Sequence, residues 1–202
     1  MGMDRLEDAR AVVAAVAELG LLFVSDPKRP NAIQVLTGEF PRGSWWSHPK
    51  ANDIYDILQA VERHPDLLLA KLLGGKVTII HRALWPAVLA VVTAREAWQL
   101  EGLSPGAAQA LASLDEAETA GTPPPSLSRT VSKELEGRLL AHGESVHTAT
   151  GKHVTQLQPW KAWAAKAGSP WPPSTGVDQA RQALEAAAAR LDARPLLPWI
   201  TR

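Results

Sequence analysis

Apolar side chains recur at three- and four-residue steps along much of the chain, a pattern typical of amphipathic helices. The first such stretch covers residues 4–19, and a second opens with Asn52 as its N-cap. Ser104-Pro105 predicts a further helix start, because serine caps a helix and proline fits its first turn. Other helical stretches lie at residues 31–36, from Leu84 into the nineties, at 105–120, at 127–141, around 160–163 and at 177–191.

Two β-hairpins are predicted where a glycine-containing turn separates two strand-like runs. Glycine adopts the positive φ angles of a tight hairpin turn without steric cost. The runs are 67–73 and 76–82 around Gly74-Gly75, and 145–149 and 152–157 around Thr150-Gly151. A further apolar run, Leu21–Val24, predicts a short strand or a buried edge.

The proline-rich segment 121–126 is the best domain boundary in the chain, because three consecutive prolines prevent a helix from continuing. It separates a first domain, 1–120, from a second domain, 127–202. The order helix, hairpin, helix occurs in both, at 52–95 and at 127–165. We therefore predict a helix-rich α+β fold of tandem winged-helix-like units with two short β-hairpins.

Composition narrows the function classes. The 202 residues contain 21 basic and 21 acidic side chains and no cysteine, which excludes a strongly basic arm, a disulfide framework and a thiolate zinc site. No apolar stretch is long enough to span a bilayer, and the charged N-terminus has no signal-peptide core, so we expect a cytoplasmic protein without membrane contact. The regions 20–82 and 127–168 are mildly basic, and 83–126 is acidic.

Three segments carry a resemblance to a known family: Leu19–Pro27, the hairpin Lys71–Arg82, and Ser132–Leu140 with the hairpin after it. Together they resemble, at low similarity, the bacterial winged-helix DNA glycosylases that unhook interstrand crosslinks. The resemblance implies a winged-helix fold and a role in DNA repair. The family's Gln–apolar–Gln or Gln–apolar–Asp motif falls on Phe23-Val24-Ser25, and phenylalanine cannot activate water. The resemblance therefore implies a non-catalytic branch.

Two adjacent tryptophans, Trp45 and Trp46, mark the most unusual segment of a chain with eight Trp, two Phe and one Tyr. Successive side chains of an extended chain point in opposite directions, so one indole is expected to be exposed or to meet a neighbouring element. In the first interpretation, the exposed indole stacks on a base of a bound nucleic acid, and Arg42, His48 and Lys50 contact its phosphates. The alternative is a structural loop with both indoles mostly buried.

Basic side chains on the first hairpin are the second candidate surface. Lys71 and Lys76 flank the predicted Gly74-Gly75 turn, and Arg82 ends the second strand, where a wing would contact nucleic acid. The alternative is an ordinary solvated hairpin, because basic residues also protect exposed strand edges from aggregation.

Metal and cofactor chemistry are not predicted. His142, His147 and His153 lie within twelve residues, but no cysteine or carboxylate joins them at a ligand spacing. Phosphate-binding glycine loops and the nucleophile elbow of hydrolases are also missing from the sequence. Asp53 and Asp56 are interpreted as the solvated, negative start of a helix.

Three hypotheses follow. The leading one is a non-catalytic winged-helix-like protein that binds nucleic acid, DNA above all, in repair or regulation. The first alternative is a protein–protein interaction module, or a homo-oligomer, without nucleic-acid binding. The second is a DNA glycosylase or hydrolase with a non-standard site that uses His48, Asp53, Gln156 or Gln158.

Overall fold

The computed structural model describes residues 5–120, 127–147 and 153–200, and these residues form an α+β fold. The helix-rich α+β class predicted from the sequence is confirmed. The elements in chain order are α1 (Arg5–Leu19), β1 (Leu21–Phe23), α2 (Ala32–Thr37), α3 (Ala51–Glu62), β2 (Leu67–Leu73), β3 (Lys76–His81), α4 (Trp85–Thr93), α5 (Ala97–Leu100), α6 (Pro105–Ala120), α7 (Arg129–Gly137), β4 (His142–His147), β5 (His153–Gln158), α8 (Trp160–Lys166) and α9 (Val177–Ala189). Short 3-10 helices cover Trp45–Ser47, Arg82–Leu84 and Arg194–Leu196.

The described residues form two compact units. Unit 1 contains the residues up to 85 together with those from 182 onward, and unit 2 contains those between 86 and 181. The chain is thus divided differently from the predicted domains, 1–120 and 127–202. Residues 86–120 belong with unit 2 because α6 and α7 share an apolar core, which contains Leu111 and Leu135. The predicted linker 121–126 lies outside the described residues.

Unit 1 has a three-stranded antiparallel sheet in the order β1-β3-β2. Leu22 pairs with Ile79, and Leu68 pairs with Ile80. Gly74 and Gly75 have φ angles of 59° and 69°, so the predicted hairpin turn is confirmed. Apolar residues of α1, α2, α3 and the sheet form one core: Ala9, Val12, Val16, Leu22, Ala32, Ile33, Ile54, Ile57, Leu58, Val61, Leu67 and Ile79.

The start of α3 differs from the prediction. The N-cap position is Lys50 rather than Asn52, and the Lys50 carbonyl accepts the first helical hydrogen bond, from the Ile54 N–H at 3.0 Å. Asn52 is exposed inside the first turn. Four buried aliphatic residues hold α3 against the core. The helix begins two residues earlier than it would with an N-cap at Asn52.

Unit 2 confirms one predicted cap and shortens one predicted helix. The Ser104 hydroxyl accepts a hydrogen bond from the Ala107 N–H at 3.2 Å, so α6 begins where the sequence indicates. α7 ends at Gly137 rather than near Ala141, because Leu139 adopts a left-handed conformation with φ of 55°. The Leu139 carbonyl accepts a hydrogen bond from the Trp160 indole at 2.9 Å, which ties this turn to α8.

The second hairpin has strands at His142–His147 and His153–Gln158, with His142 opposite Gln158. The first of these strands begins three residues earlier than the predicted run 145–149. The predicted turn at Thr150-Gly151 lies outside the described residues. None of the described helices is long and apolar enough to cross a bilayer.

Candidate nucleic-acid interface

The loop between α2 and α3 presents an aromatic cluster, which consists of Trp45, Trp46 and Tyr55. The two indoles stack with ring centroids 4.1 Å apart and planes inclined by 24°. Trp46 also lies 5.5 Å from the Tyr55 ring on α3. The indoles stack on each other because the segment is a 3-10 helix, in which the His48 N–H donates to the Trp45 carbonyl at 3.0 Å. The extended chain assumed from the sequence was wrong here.

The two tryptophans differ in exposure, as the sequence predicts. Trp45 is half-buried and packs against the core of unit 1, whereas Trp46 is 57% exposed. Phe40, earlier in the same loop, is 41% exposed. The alternative of two mostly buried indoles is therefore contradicted for Trp46. Trp46 is the most exposed large aromatic side chain among the described residues.

Cationic side chains flank the aromatic cluster in sequence. Arg42 and Lys50 are exposed, four residues before and four residues after Trp46. His48 is half-buried, and its Nδ1 accepts a hydrogen bond from the Lys50 N–H at 3.1 Å. This bond stabilises the turn before α3.

Lys76 has a structural role that the sequence did not predict. Its Nζ lies 2.6 Å from Oδ2 of Asp26, and Asp26 is only 1% exposed. The other carboxylate oxygen, Oδ1, accepts hydrogen bonds from the N–H groups of Lys28 and Arg29, both at 2.9 Å. The predicted phosphate contact of Lys76 stays a prediction, and the structure shows in addition that its ammonium pairs with a buried carboxylate of its own unit.

The Asp26 carboxylate has a lowered pKa. Burial is the largest single influence and raises the pKa, but the hydrogen bonds from Lys76, Lys28 and Arg29, together with the Lys76 charge, outweigh it. Asp26 therefore stays ionised and keeps Lys76 beside it. The ion pair and the hydrogen bonds of Asp26 connect β3 to the loop that follows β1.

The other two predicted hairpin cations have different surroundings. Arg82 lies in the 3-10 turn after β3, and its Nη1 is 2.8 Å from Oδ1 of Asp66. Lys71 is half-buried on β2. At the tip itself, the Gly74 N–H donates to the Leu196 carbonyl at 2.8 Å, so the turn is bound by a C-terminal segment of unit 1. The tip residues remain exposed, and Lys76 and Arg82 are exposed cations that also form ion pairs with Asp26 and Asp66.

The beginning of α3 is acidic, as the sequence indicates. Arg5 bridges Asp53 and Asp56, at 3.1 Å and 2.7 Å from their carboxylate oxygens. Asp53, one of the candidate catalytic residues, is thus part of an exposed ion-pair cluster. Phe23, which matches the motif position of the glycosylase family, is fully buried in the sheet.

Gln158, one of the two candidate catalytic residues on β5, belongs to a polar cluster in unit 2. Its amide Nε2 lies 3.1 Å from Oε2 of Glu144 and 3.3 Å from Nδ1 of His142. His142 is buried and packs edge-on against Trp160, with centroids 5.2 Å apart. Lys166 forms an ion pair with Glu144. Gln156 is exposed on the same strand.

Metal ligation finds no support in the part of the chain that the structure describes, where no group of three His, Cys, Asp or Glu side chains is placed to hold an ion. The side chains of His147 and His153 lie outside the described set. No protein-family model, curated protein or solved structure matches this chain. The resemblance to crosslink-unhooking glycosylases therefore stays an expectation.

The structure shows three features that sequence reasoning missed. Tyr55 extends the aromatic cluster, Phe40 is exposed in the same loop, and the Asp26 carboxylate pairs with Lys76. Tyr55 has a signal in the sequence, because it lies one position after the buried Ile54 and must face away from the core. Asp26 and Lys76 are 50 residues apart, and their pairing needs the β1–β3 register.

Proposed function

We propose that the chain is a non-catalytic nucleic-acid-binding protein built from winged-helix-like units. The element order of unit 1 supports this: helix, strand, two helices, then a hairpin whose second strand pairs with the first strand. That order supports a winged-helix-like arrangement of unit 1. Unit 2 has a similar order of two helices, α6 and α7, followed by the hairpin β4–β5. A role in DNA repair or regulation fits such a protein.

The exposure of Trp46 is the observation that carries the proposal. One indole face is supported by Trp45, and more than half of the side chain is open to solvent. Stacking of a base on an aromatic side chain contributes about 1–3 kcal/mol and needs no particular sequence. Arg42 and Lys50 supply the positive charge that follows a nucleic-acid backbone.

Single-stranded nucleic acid suits this surface better than a duplex. The faces of paired bases are stacked on one another, whereas unpaired bases have faces free to meet an indole. The acidic start of α3, with Asp53 and Asp56, opposes insertion of this helix into a duplex groove. The aromatic cluster is therefore assigned to an unpaired segment.

The test is fluorescence anisotropy with a labelled single-stranded oligonucleotide at low salt. Trp46→Ala is expected to weaken binding by about tenfold to a hundredfold, through loss of one stacked base. Trp46→Phe, which keeps an aromatic face, is expected to retain most of the affinity. Leu6→Ala is the matched control, because Leu6 is an exposed apolar residue of unit 1 outside the loop.

Two outcomes contradict the proposal. One is the absence of binding by the wild-type chain at low salt. The other is an equal affinity of the wild-type, Trp46→Ala and Leu6→Ala chains, which would mean that the indole does not touch the ligand.

A second candidate function is protein binding through the same loop. Phe40 and Trp46 are both exposed, and the ion pairs of Lys76 and Arg82 reduce the positive charge that a nucleic acid would meet. A protein partner, or a second copy of the chain, would bury these two aromatic residues. Light scattering separates the two functions: a stable oligomer that Phe40→Ala dissociates, with no oligonucleotide binding, favours this candidate.

A further inference from the structure

The polar side chains of α7 fall into an exposed group and a group that contacts the rest of unit 2. The exposed group consists of Arg129, Thr130 and Lys133. At positions i, i+1 and i+4 they lie on one side of the helix, with the two cations one turn apart. α7 thus presents a positive outer surface, which we call the α7 basic face and define by these three residues.

The acidic residues of α7 are turned towards the protein. Oε1 of Glu134 accepts a hydrogen bond from the Ser104 N–H at 2.9 Å, and Oε2 accepts one from the Ser104 hydroxyl at 2.7 Å. These two bonds lower the pKa of Glu134, and the Arg138 charge lowers it further. Glu136 is half-buried, and its carboxylate lies over Gly143 of β4. Both acids therefore have contacts elsewhere in unit 2.

Further contacts anchor α7 at its C-terminal end and on its inner side. The Arg138 guanidinium donates to four consecutive or near-consecutive backbone carbonyls, at 2.7–3.3 Å: those of Trp98, Gln99, Glu101 and Gly102. Leu135 is fully buried in the core of unit 2. Because the helix is anchored at its inner side, a ligand on the outer side would not need to order the backbone first.

We propose that the α7 basic face is a second nucleic-acid contact, which binds the phosphate backbone of a duplex. Duplex DNA carries about one negative charge per 1.7 Å of its axis, so it attracts a pair of exposed cations strongly. Arg129 and Lys133 are separated by about 6 Å along the helix axis, so each can reach its own phosphate. The proposal rests on the nucleic-acid function proposed above and assigns the duplex part of the ligand to unit 2.

The experiment measures binding of a labelled duplex to the full chain over a range of salt concentrations. Arg129→Gln with Lys133→Gln is expected to make the slope of log affinity against log salt less steep by about two, because two phosphate contacts are lost. Affinity for the single-stranded oligonucleotide is expected to change by less than about threefold, because stacking on Trp46 remains.

Two control variants keep the test specific. Arg10→Gln with Lys28→Gln removes the same charge from exposed positions of unit 1 and is expected to leave the slope unchanged. Arg129→Lys with Lys133→Arg keeps both charges and is expected to restore the wild-type slope. Circular dichroism of each variant checks that the fold is retained.

The proposal is overturned if the Arg129 and Lys133 variant has the wild-type slope, or if the control with Arg10 and Lys28 changes it equally. In either case single-strand binding that depends on Trp46 leaves the function proposed for unit 1 standing. A wild-type chain that binds neither oligonucleotide overturns both proposals.

Discussion

α3 in unit 1 and α7 in unit 2 precede a β-hairpin in the same way, but their outer surfaces have opposite charge. α3 exposes Asp53 and Asp56, which Arg5 bridges, whereas α7 exposes Arg129 and Lys133. The position of a helix in the order of elements therefore does not determine the charge of its outer surface. That charge depends on which side chains the rest of the unit binds.

The two helices are also anchored differently. α3 is held by four buried aliphatic residues, and α7 is held by Leu135 together with the polar contacts of Glu134 and Arg138. The polar contacts that anchor α7 hold its acidic side chains on the inner side of the helix. Apolar anchoring leaves the acidic groups of α3 on the outside.

The largest effect is expected from truncating the apolar anchors. Ile57→Ala in α3 and Leu135→Ala in α7 each remove a fully buried side chain, so each should lower the free energy of unfolding by about 2–5 kcal/mol. Urea denaturation measures both. A loss well below 1 kcal/mol for Leu135→Ala alone would show that polar contacts dominate in holding α7.

A smaller loss is expected when the Asp26 carboxylate loses its ammonium partner. Lys76→Met should lower the free energy of unfolding by about 1–2 kcal/mol, less than for a fully buried pair because the Lys76 side chain is partly solvated. Lys28→Met is the control, because it keeps the backbone N–H that binds Asp26. Equal stability of the two variants would contradict a structural role for Lys76.

Acid should weaken both units through their lowered carboxylate pKa values. The folded-state pKa of Asp26 lies below its usual value of 3.8, and that of Glu134 below 4.5. The stabilisation is therefore complete above these usual values and is lost as the pH falls through the lowered ones. Denaturation between pH 7 and pH 2 measures it. Asp26→Asn should have a flatter acid limb than the wild-type chain.

The smallest change in stability is expected for the acidic start of α3. Asp53→Asn with Asp56→Asn removes an exposed ion-pair cluster, which contributes at most about 1 kcal/mol. The same variant should bind the single-stranded oligonucleotide more tightly at low salt, because two negative charges on the helix that carries Tyr55 are removed. Unchanged affinity for the single strand would place the start of α3 away from the ligand.

Local features of the fold could be predicted from the sequence, because they depend on neighbouring residues. The Gly74-Gly75 turn and the Ser104 cap are of this kind, and both are confirmed. The end of α7 could not be predicted, because Leu139 leaves the helical conformation where Trp160 binds its carbonyl.

The candidate site could be predicted only where it depends on neighbouring residues. An exposed indole at the Trp45–Trp46 pair follows from the sequence, but the stacking of the pair depends on a 3-10 helix that periodicity does not reveal. The ion pair of Lys76 with Asp26 joins residues 50 positions apart in the sequence, so it depends on the tertiary fold. Charge patterns identify candidate cations, and only the folded chain shows which of them are already paired.

The contact between Trp46 and an unpaired base can be measured most directly by photocrosslinking. A single-stranded oligonucleotide with iodouracil is irradiated with the wild-type chain at low salt, and the tryptic peptides are analysed by mass spectrometry. The account predicts a crosslinked peptide that spans residues 43–50, with the modification on Trp46. Crosslinks confined to other peptides, or none at all, would contradict it.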